Sequence, residues 1–277
     1  MRNSLTEQSN QNNNEINSLR EVSRSSGMPY STVRNITKQY LNYKKYQPRF
    51  VQYLHEDDAD HRLEFATMFQ SILLPQIDNI LWTDEAHFHL YGEVSSINGY
   101  IWAAENPHVT VQKPLHSPKL TVGIAFTSKF ILEPYFFPIG ETIKKEIYID
   151  MVSSHIIPAL KRKRVFSRTI FMQDGATPHT AKMTMDFLTS QFNNRLISRS
   201  CTHFWPPRSP DLTPCDFWFW GYLKRNVYSK KITDLQSLKV TIMEEVAKIN
   251  PEMLENVVQS VIHRLADLED CHGQHLN

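Results

Sequence analysis

The sequence predicts an α/β domain behind a small helical N-terminal region. Two apolar runs, residues 79–82 and 169–172, each lead within two residues to an acid, Asp84 and Asp174. Short strand-like segments fill much of the chain between them, and the last third has mostly helical patterns. A buried strand with a carboxylate at its C-terminal end is typical of open α/β sheets, which place their chemistry at that edge.

Length and composition indicate a globular protein with one large and one small domain. The chain has 277 residues and is 41% hydrophobic, which is enough for a sizeable core. Its three cysteines are scattered and lack CxxC spacing, so we expect a reducing compartment and neither a disulfide scaffold nor a zinc finger. The sequence shows no secretory signal, transmembrane segment or nucleotide-binding glycine motif. We therefore expect a soluble intracellular protein without a nucleotide cofactor.

The N-terminal region suggests a DNA-binding module. Residues 1–15 are polar and low in complexity and are predicted to be disordered. Residues 16–43 have helix-turn-helix spacing around Gly27. The outward face of the second helix would carry Thr32, Arg34, Asn35 and Lys38, which suit phosphates and base edges. A helical hairpin without a DNA role fits the same pattern.

Charge separates the front of the chain from the rest. Residues 1–55 hold eight Lys and Arg against three Glu, a net charge of +5, which leaves −4 for the remainder. This asymmetry indicates a polyanionic partner, although a solvated basic face would also account for it. Residues 44–60 are a predicted linker, in which Lys44 and Lys45 could follow a DNA backbone or belong to a plain hinge.

Residues 61–277 are predicted to form the main domain. It would begin with a helix at 61–74 and continue through strands at 80–83, 87–91, 100–103, 109–111, 120–126 and 131–137. Further helices are predicted at 145–164, 181–192, 216–227, 234–249 and 251–268, with a short strand at 196–197. The cationic run 161–164 complements a helix C-terminus, and it could instead be a nuclear-import or DNA-contact patch.

A third acid completes a possible metal site. Asp216 follows Pro214 at a predicted helix start, where the helix dipole favours negative charge. Taken singly, each of these aspartates fits the role of a helix cap or a turn residue better than that of a metal ligand. Together, Asp84, Asp174 and Asp216 offer the oxygen ligands that Mg²⁺ prefers, and two such ions about 3.5–4 Å apart can promote phosphodiester cleavage.

The chain resembles the mariner-type DDE/D transposases. The resemblance is carried by Trp-Thr-Asp-Glu at 82–85, Gln-Asp-Gly-Ala-Thr-Pro-His at 173–179 and Pro-Pro-Arg-Ser-Pro-Asp-Leu-Thr-Pro-Cys-Asp at 206–216. It implies a ribonuclease-H-like domain, a mixed five-stranded sheet flanked by helices, behind a helix-turn-helix region. By that resemblance Asp84 and Asp216 each hold a metal ion and Asp174 completes the site, while Asp211 is a loop residue and His179 has a positioning role.

The resemblance also implies a function and its surroundings. The ions would be Mg²⁺, with Mn²⁺ able to substitute. The protein would cleave double-stranded DNA at transposon inverted repeats and join the freed 3′-hydroxyl to a TA target. It would act in the nucleus as a homodimer on DNA, with Asn98 in the family's dimer-contacting segment.

Two features depart from the family pattern. The 41 residues between Asp174 and Asp216 exceed the mariner spacing, which indicates a divergent branch with an extension before Pro206. Family members carry two helix-turn-helix units, whereas one is found here, so we expect an N-terminally truncated copy, a fragment or a wrongly predicted start.

Two other functions compete with a transposase. One is a transposon-derived DNA-binding protein that no longer cleaves, and the other is a host nuclease acting on RNA–DNA hybrids. The three acids favour catalysis, because mutually repelling carboxylates near a phosphate backbone have no use in a protein that only binds DNA. The helix-turn-helix pattern and the motif at 206–216 argue against the hybrid nuclease.

Overall fold

The computed structural model describes residues 19–42, 51–90 and 117–276. The chain divides into two compact units, Met1–Val51 and Gln52–Asn277, with the division inside the predicted linker. The roles assigned to these regions stay predictions. The predicted disordered segment 1–15, the strands at 100–103 and 109–111, Lys44, Lys45 and Asn98 lie outside the described residues.

The described part of the smaller unit contains two helices. Helix α1 (Leu19–Ser26) and helix α2 (Tyr30–Asn35) are joined through Gly27, whose φ of +67° lies in the left-handed region that glycine adopts readily. Helix α2 continues as a wider π-helical turn, Ile36–Tyr40. The four side chains predicted to face DNA, Thr32, Arg34, Asn35 and Lys38, are all exposed.

The larger unit is built on a mixed sheet. Its strands are β1 (Ile80–His89), β2 (Lys119–Phe126), β3 (Tyr135–Phe136), β4 (Ile170–Met172), β5 (Leu196–Ser198) and β6 (His203–Phe204). Their order across the sheet is β3-β2-β1-β4-β5-β6. Strand β2 is antiparallel to β1 and β3, while β1, β4, β5 and β6 run parallel.

Two strand predictions are corrected. The described residues form six strands rather than five, because the two-residue edge strand β6 is too short to leave an alternating pattern. The strands predicted at 80–83 and 87–91 are the single strand β1. Asp84, Glu85 and Ala86 continue its pairing with β2, so tertiary pairing overrides the low strand preference of the two acids.

The predicted helices are present with shifted ends, and several contain π-helical turns. Helix α3 (Asp58–Met68) runs on through Phe69–Leu73 and the 3-10 turn Leu74–Asn79. Helices α4 (Lys145–Asp150) and α5 (Ile157–Arg162) are joined through Met151–Ile156. The remainder are α6 (Thr177–Thr180), α7 (Lys182–Phe192), the 3-10 turn Pro210–Leu212, the turn Cys215–Phe219 leading into α8 (Trp220–Val227), α9 (Leu235–Ala247) and α10 (Pro251–Asp270).

The core forms two layers, one on each face of the sheet. Strand β1 shows the alternation directly, because Leu81 and Trp82 are both fully buried in different clusters. The cluster that contains Trp82 includes residues of α3, α8, α9 and α10, and the cluster that contains Leu81 includes residues of α4, α5 and α7. Helices on both faces hold the parallel strands rigidly, which fixes the positions of the residues at their ends. No described helix has the length and apolar character needed to cross a membrane.

Candidate active site

Strand register brings the first two acids to one edge of the sheet. Strands β1 and β4 are parallel, with Trp82 opposite Met172. Asp84 and Asp174 each follow two residues later, so they stand at matching positions on neighbouring chain segments. Along an extended chain, every second side chain points to the same face of the sheet. Both acids are therefore on the sheet face of Trp82 and Met172.

The third acid reaches the same place from a helical turn. In the turn Cys215–Phe219, Cys215 and Phe219 are buried in the core on that sheet face, and Asp216 is left exposed. Directly after the turn, Trp220 donates a hydrogen bond from Nε1 to Asp84 Oδ2 at 2.7 Å. Asp84, Asp174 and Asp216 consequently line one cavity of about 470 Å³, together with Glu85, Arg199 and the loop at 206–210.

Crowding of these carboxylates shifts their pKa values. Burial raises the pKa of Asp84 well above its usual value, and repulsion from Asp216 and Glu85 adds to that effect. Loss of solvation inside this cavity, and then repulsion from Asp174, raise the pKa of Asp216 to about 6. Both groups therefore give up a proton less readily than an ordinary aspartate, and a bound cation would relieve the same repulsion.

Asp174 is held by a histidine that also contacts a fourth acid. His179 donates from Nδ1 to Asp174 Oδ1 at 2.5 Å, and its Nε2 lies 3.1 Å from Glu85 Oε2. Burial alone would lower the pKa of His179, but the two carboxylates outweigh it and raise the pKa to about 10. Burial likewise opposes ionisation of Asp174, yet hydrogen bonds from His179 and Ala176 lower its pKa. The imidazole is thus a cation between two anions.

Buried hydrogen bonds fix the turn that carries His179. The Gln173 amide donates to His179 O at 3.0 Å and to Ser198 Oγ at 2.9 Å, and its Oε1 accepts from the Tyr148 hydroxyl at 2.8 Å. The Tyr148 ring packs on the imidazole with 4.2 Å between centroids. These contacts leave the His179 ring little freedom to turn away from Asp174.

The loop that closes the cavity is anchored through Asp211. The buried Arg62 guanidinium bonds both carboxylate oxygens of Asp211, at 2.8 and 2.6 Å, and donates to Ser209 Oγ at 2.8 Å. Asp211 Oδ2 also accepts from the Leu276 backbone at 2.9 Å. A neighbouring ion pair joins Arg208 to Asp58. Asp211 lies outside the cavity lining, in agreement with the loop role that the resemblance implies.

Three contributors were missed by sequence reasoning: Glu85, Trp220 and Arg62. Glu85 was visible only as the neighbour of Asp84, and Trp220 only as one member of an aromatic run. Arg62 gave no signal at all, because its partner Asp211 lies 149 residues away. All three act through contacts between distant parts of the chain.

The donor set fits a divalent cation such as Mg²⁺, although not as a preformed cage. Asp84, Asp174 and Asp216 supply only oxygen atoms as ligands. The pKa values of Asp84 and Asp216 are raised, and a bound cation would stabilise the charged form of both. Among the described residues, no group of three His, Cys, Asp or Glu side chains is arranged to hold one ion.

Residues 79–239 match the family model described as DDE superfamily endonuclease. This match covers more than half of the chain and includes all three acids, and the chain belongs to that family. The three motifs that resemble the mariner type, at 82–85, 173–179 and 206–216, all lie within the matched residues.

Two curated proteins are similar to this chain. The transposable element Tc3 transposase of Caenorhabditis elegans is 28% identical over 225 residues, covering 79% of this chain and 64% of the relative. The human histone-lysine N-methyltransferase SETMAR is 25% identical over 274 residues, covering 95% of this chain and 38% of the relative. This chain thus spans less than two thirds of the length of both curated relatives.

A solved structure supports the fold. The Mos1 mariner paired-end complex with Mn has a TM-score of 0.77 at 17% identity, over 96% of this chain and 77% of that one. At this identity the likeness concerns architecture alone. The predicted ribonuclease-H-like α/β class is confirmed, with six described strands in place of five.

Proposed function

We propose that this protein is a DNA transposase. It would cleave phosphodiester bonds at the inverted repeats of a transposon and join the freed 3′-hydroxyl to a TA target. The observation that carries the proposal is the meeting of Asp84, Asp174 and Asp216 on one cavity of a DDE endonuclease domain. The names of the Tc3 and Mos1 relatives support the same activity.

In this proposal the three aspartates hold Mg²⁺, with Mn²⁺ able to substitute. When bound, such ions would supply an activated water, stabilise the leaving oxygen and neutralise phosphoryl charge. The chain's own task is to present carboxylate oxygens in fixed places. Asp174 accepts from His179 at Oδ1, and Asp84 accepts from Trp220 at Oδ2 and from the Glu85 backbone at Oδ1. The protein therefore orients these two carboxylates.

The N-terminal region would supply DNA contacts. Thr32, Arg34, Asn35 and Lys38 are exposed on one helix and its continuation, as a major-groove reader requires. We include Lys44 and Lys45 as backbone contacts, on the strength of their charge and place in the linker. Action as a homodimer on DNA and location in the nucleus belong to the same proposal.

Nicking of a labelled duplex that carries the element's inverted repeat tests the proposal. We expect purified protein to nick this duplex in Mg²⁺ or Mn²⁺ and to stop when EDTA is added. Binding without nicking in either metal would instead identify a transposon-derived DNA-binding protein. Preferred cleavage of a matching RNA–DNA hybrid would identify a hybrid nuclease, so the three outcomes separate the three functions.

A further inference from the structure

A second cavity lies at the opposite edge of the sheet from the carboxylates. It has a volume of about 540 Å³, and its lining includes Asn79 and Thr169, which directly precede β1 and β4. Strands β1 and β4 pair over residues 80–82 and 170–172. Asp84 and Asp174 lie two residues beyond the C-terminal end of this paired segment. The two cavities are therefore separate surfaces of the larger unit.

Three segments of the chain each deliver a cation to this second cavity. Lys129 comes from the connection between β2 and β3, Lys163 from the end of α5, and Arg168 from the loop before β4. All three side chains are exposed. The dipole of α5 accounts for Lys163, but Lys129 and Arg168 lie outside that helix. The helix dipole therefore does not explain why three cationic side chains line the same cavity.

The charge of the lining is not balanced by acids. Asp78 is the acid among the lining residues, and it is already engaged by Ser128 Oγ at 2.6 Å and Lys129 Nζ at 3.0 Å. Lys163 Nζ lies 4.9 Å from the centre of the Phe130 ring. Within the described residues neither Lys163 nor Arg168 has a carboxylate within ion-pair distance. The cavity therefore carries a net positive charge.

We propose that this cavity and the adjoining run 161–164, together the distal basic surface, bind the phosphate backbone of duplex DNA. The inference rests on the proposed function and extends it to a second DNA contact, away from the site of cleavage. Lys161, Arg162 and Arg164 are also exposed, so the positively charged surface extends beyond the cavity. An extended polyanion would contact such a surface along its length, whereas a small anion would need only the cavity. Flexible lysines give contact with phosphates without reading sequence.

Salt dependence of DNA binding by the full chain measures these contacts. The test variant carries Lys129→Gln, Lys163→Gln and Arg168→Gln. The control carries Lys144→Gln, Lys182→Gln and Lys231→Gln, three exposed lysines that line neither cavity, so both variants lose the same charge. Binding to a duplex of random sequence is measured over a range of salt concentrations, and melting temperatures establish that each variant is folded.

In a plot of log affinity against log salt concentration, we expect the slope of the test variant to be shallower than that of the parent by about 1 to 3 and the slope of the control to be unchanged. Each lost phosphate contact removes about 0.9 from the slope. Equal changes in both variants, or none in either, would overturn the proposal. So would an unchanged slope accompanied by loss of nuclear accumulation, which would make the surface an import signal. Nicking by the parent is scored separately, so a failure of the proposed activity remains distinguishable.

Discussion

The Asp216 carboxyl has a pKa of about 6, compared with 3.8 for an ordinary aspartate, because it lies in a partly enclosed cavity near Asp174. A carboxyl whose pKa is raised in the folded state stabilises the fold below its unfolded pKa and loses that contribution as pH rises through the folded value. Without metal, Asp216 therefore weakens the fold at neutral pH.

We expect Asp216→Asn to raise the free energy of unfolding at pH 7 in EDTA. The gain should be about 1 kcal/mol or less, since the exposed carboxylate is screened by solvent. It should disappear below about pH 4, where the carboxyl is neutral in both states. Urea denaturation at several pH values measures it, and a variant less stable than the parent at pH 7 would contradict the account of crowding.

His179→Ala tests the bridge between Asp174 and Glu85. The substitution leaves the Glu85 side chain, 9% exposed, without its cation. We expect a loss of about 3 to 5 kcal/mol in the free energy of unfolding, the usual result of removing one partner of a buried pair. The exposed His263→Ala is the matched control and should change it by less than about 0.5 kcal/mol.

A double variant separates this pair from general damage. If Glu85 and His179 act together, Glu85→Gln combined with His179→Ala should cost less than the sum of the single losses. Additive losses in urea denaturation would show that the two side chains stabilise the fold independently.

At this scale the sequence predicts the acids and not their partners. Asp84 and Asp174 follow short apolar runs, so local pattern places them at strand ends. His179 lies five residues from Asp174 and was given a positioning role by resemblance, whereas its contact with Glu85 joins helix α6 to strand β1. Such pairing depends on strand register, which local pattern does not specify.

Among the elements, the loop at 206–214 depends most on a contact outside itself. Arg62 is fully buried and spans from Asp211 to the backbone oxygens of Gly273 and Gln274, at 2.8 and 3.2 Å. One guanidinium therefore joins helix α3, the catalytic motif loop and the segment after α10. The prolines of the motif stiffen the loop, and Arg62 fixes its position.

We expect Arg62→Met to destabilise the larger unit by about 3 to 5 kcal/mol, since the buried Asp211 loses its cation. The exposed Arg162→Met should have an effect of less than about 0.5 kcal/mol. Both are measured by urea denaturation. Equal stability of the two variants would mean that the loop does not need its anchor.

Element boundaries show where sequence patterns lose information. The apolar run before Asp174 predicted β4, and the run before Asp84 predicted the start of β1. The two-residue strand β6 was missed, because its pairing with β5 depends on the partner strand rather than on its own pattern. The break predicted inside β1 was wrong for the same reason.

For the whole molecule, the division at Val51 and Gln52 suggests that DNA recognition and catalysis are separable. We expect removal of residues 1–51 to leave a unit that melts cooperatively and to weaken binding to inverted-repeat duplex strongly, with a shallower salt slope. Calorimetry and binding titrations measure the two properties. Unchanged affinity for the inverted repeat would refute the assignment of the N-terminal region.

Metal-dependent nicking by single aspartate variants tests the joint action of the three acids most directly. Asp84→Asn, Asp174→Asn and Asp216→Asn are compared with the exposed control Asp186→Asn, on inverted-repeat duplex in Mg²⁺ and in Mn²⁺. We expect each of the three site variants still to bind the duplex and to lose nicking in both metals, while the control nicks like the parent. A site variant that nicks as well as the parent would contradict this expectation.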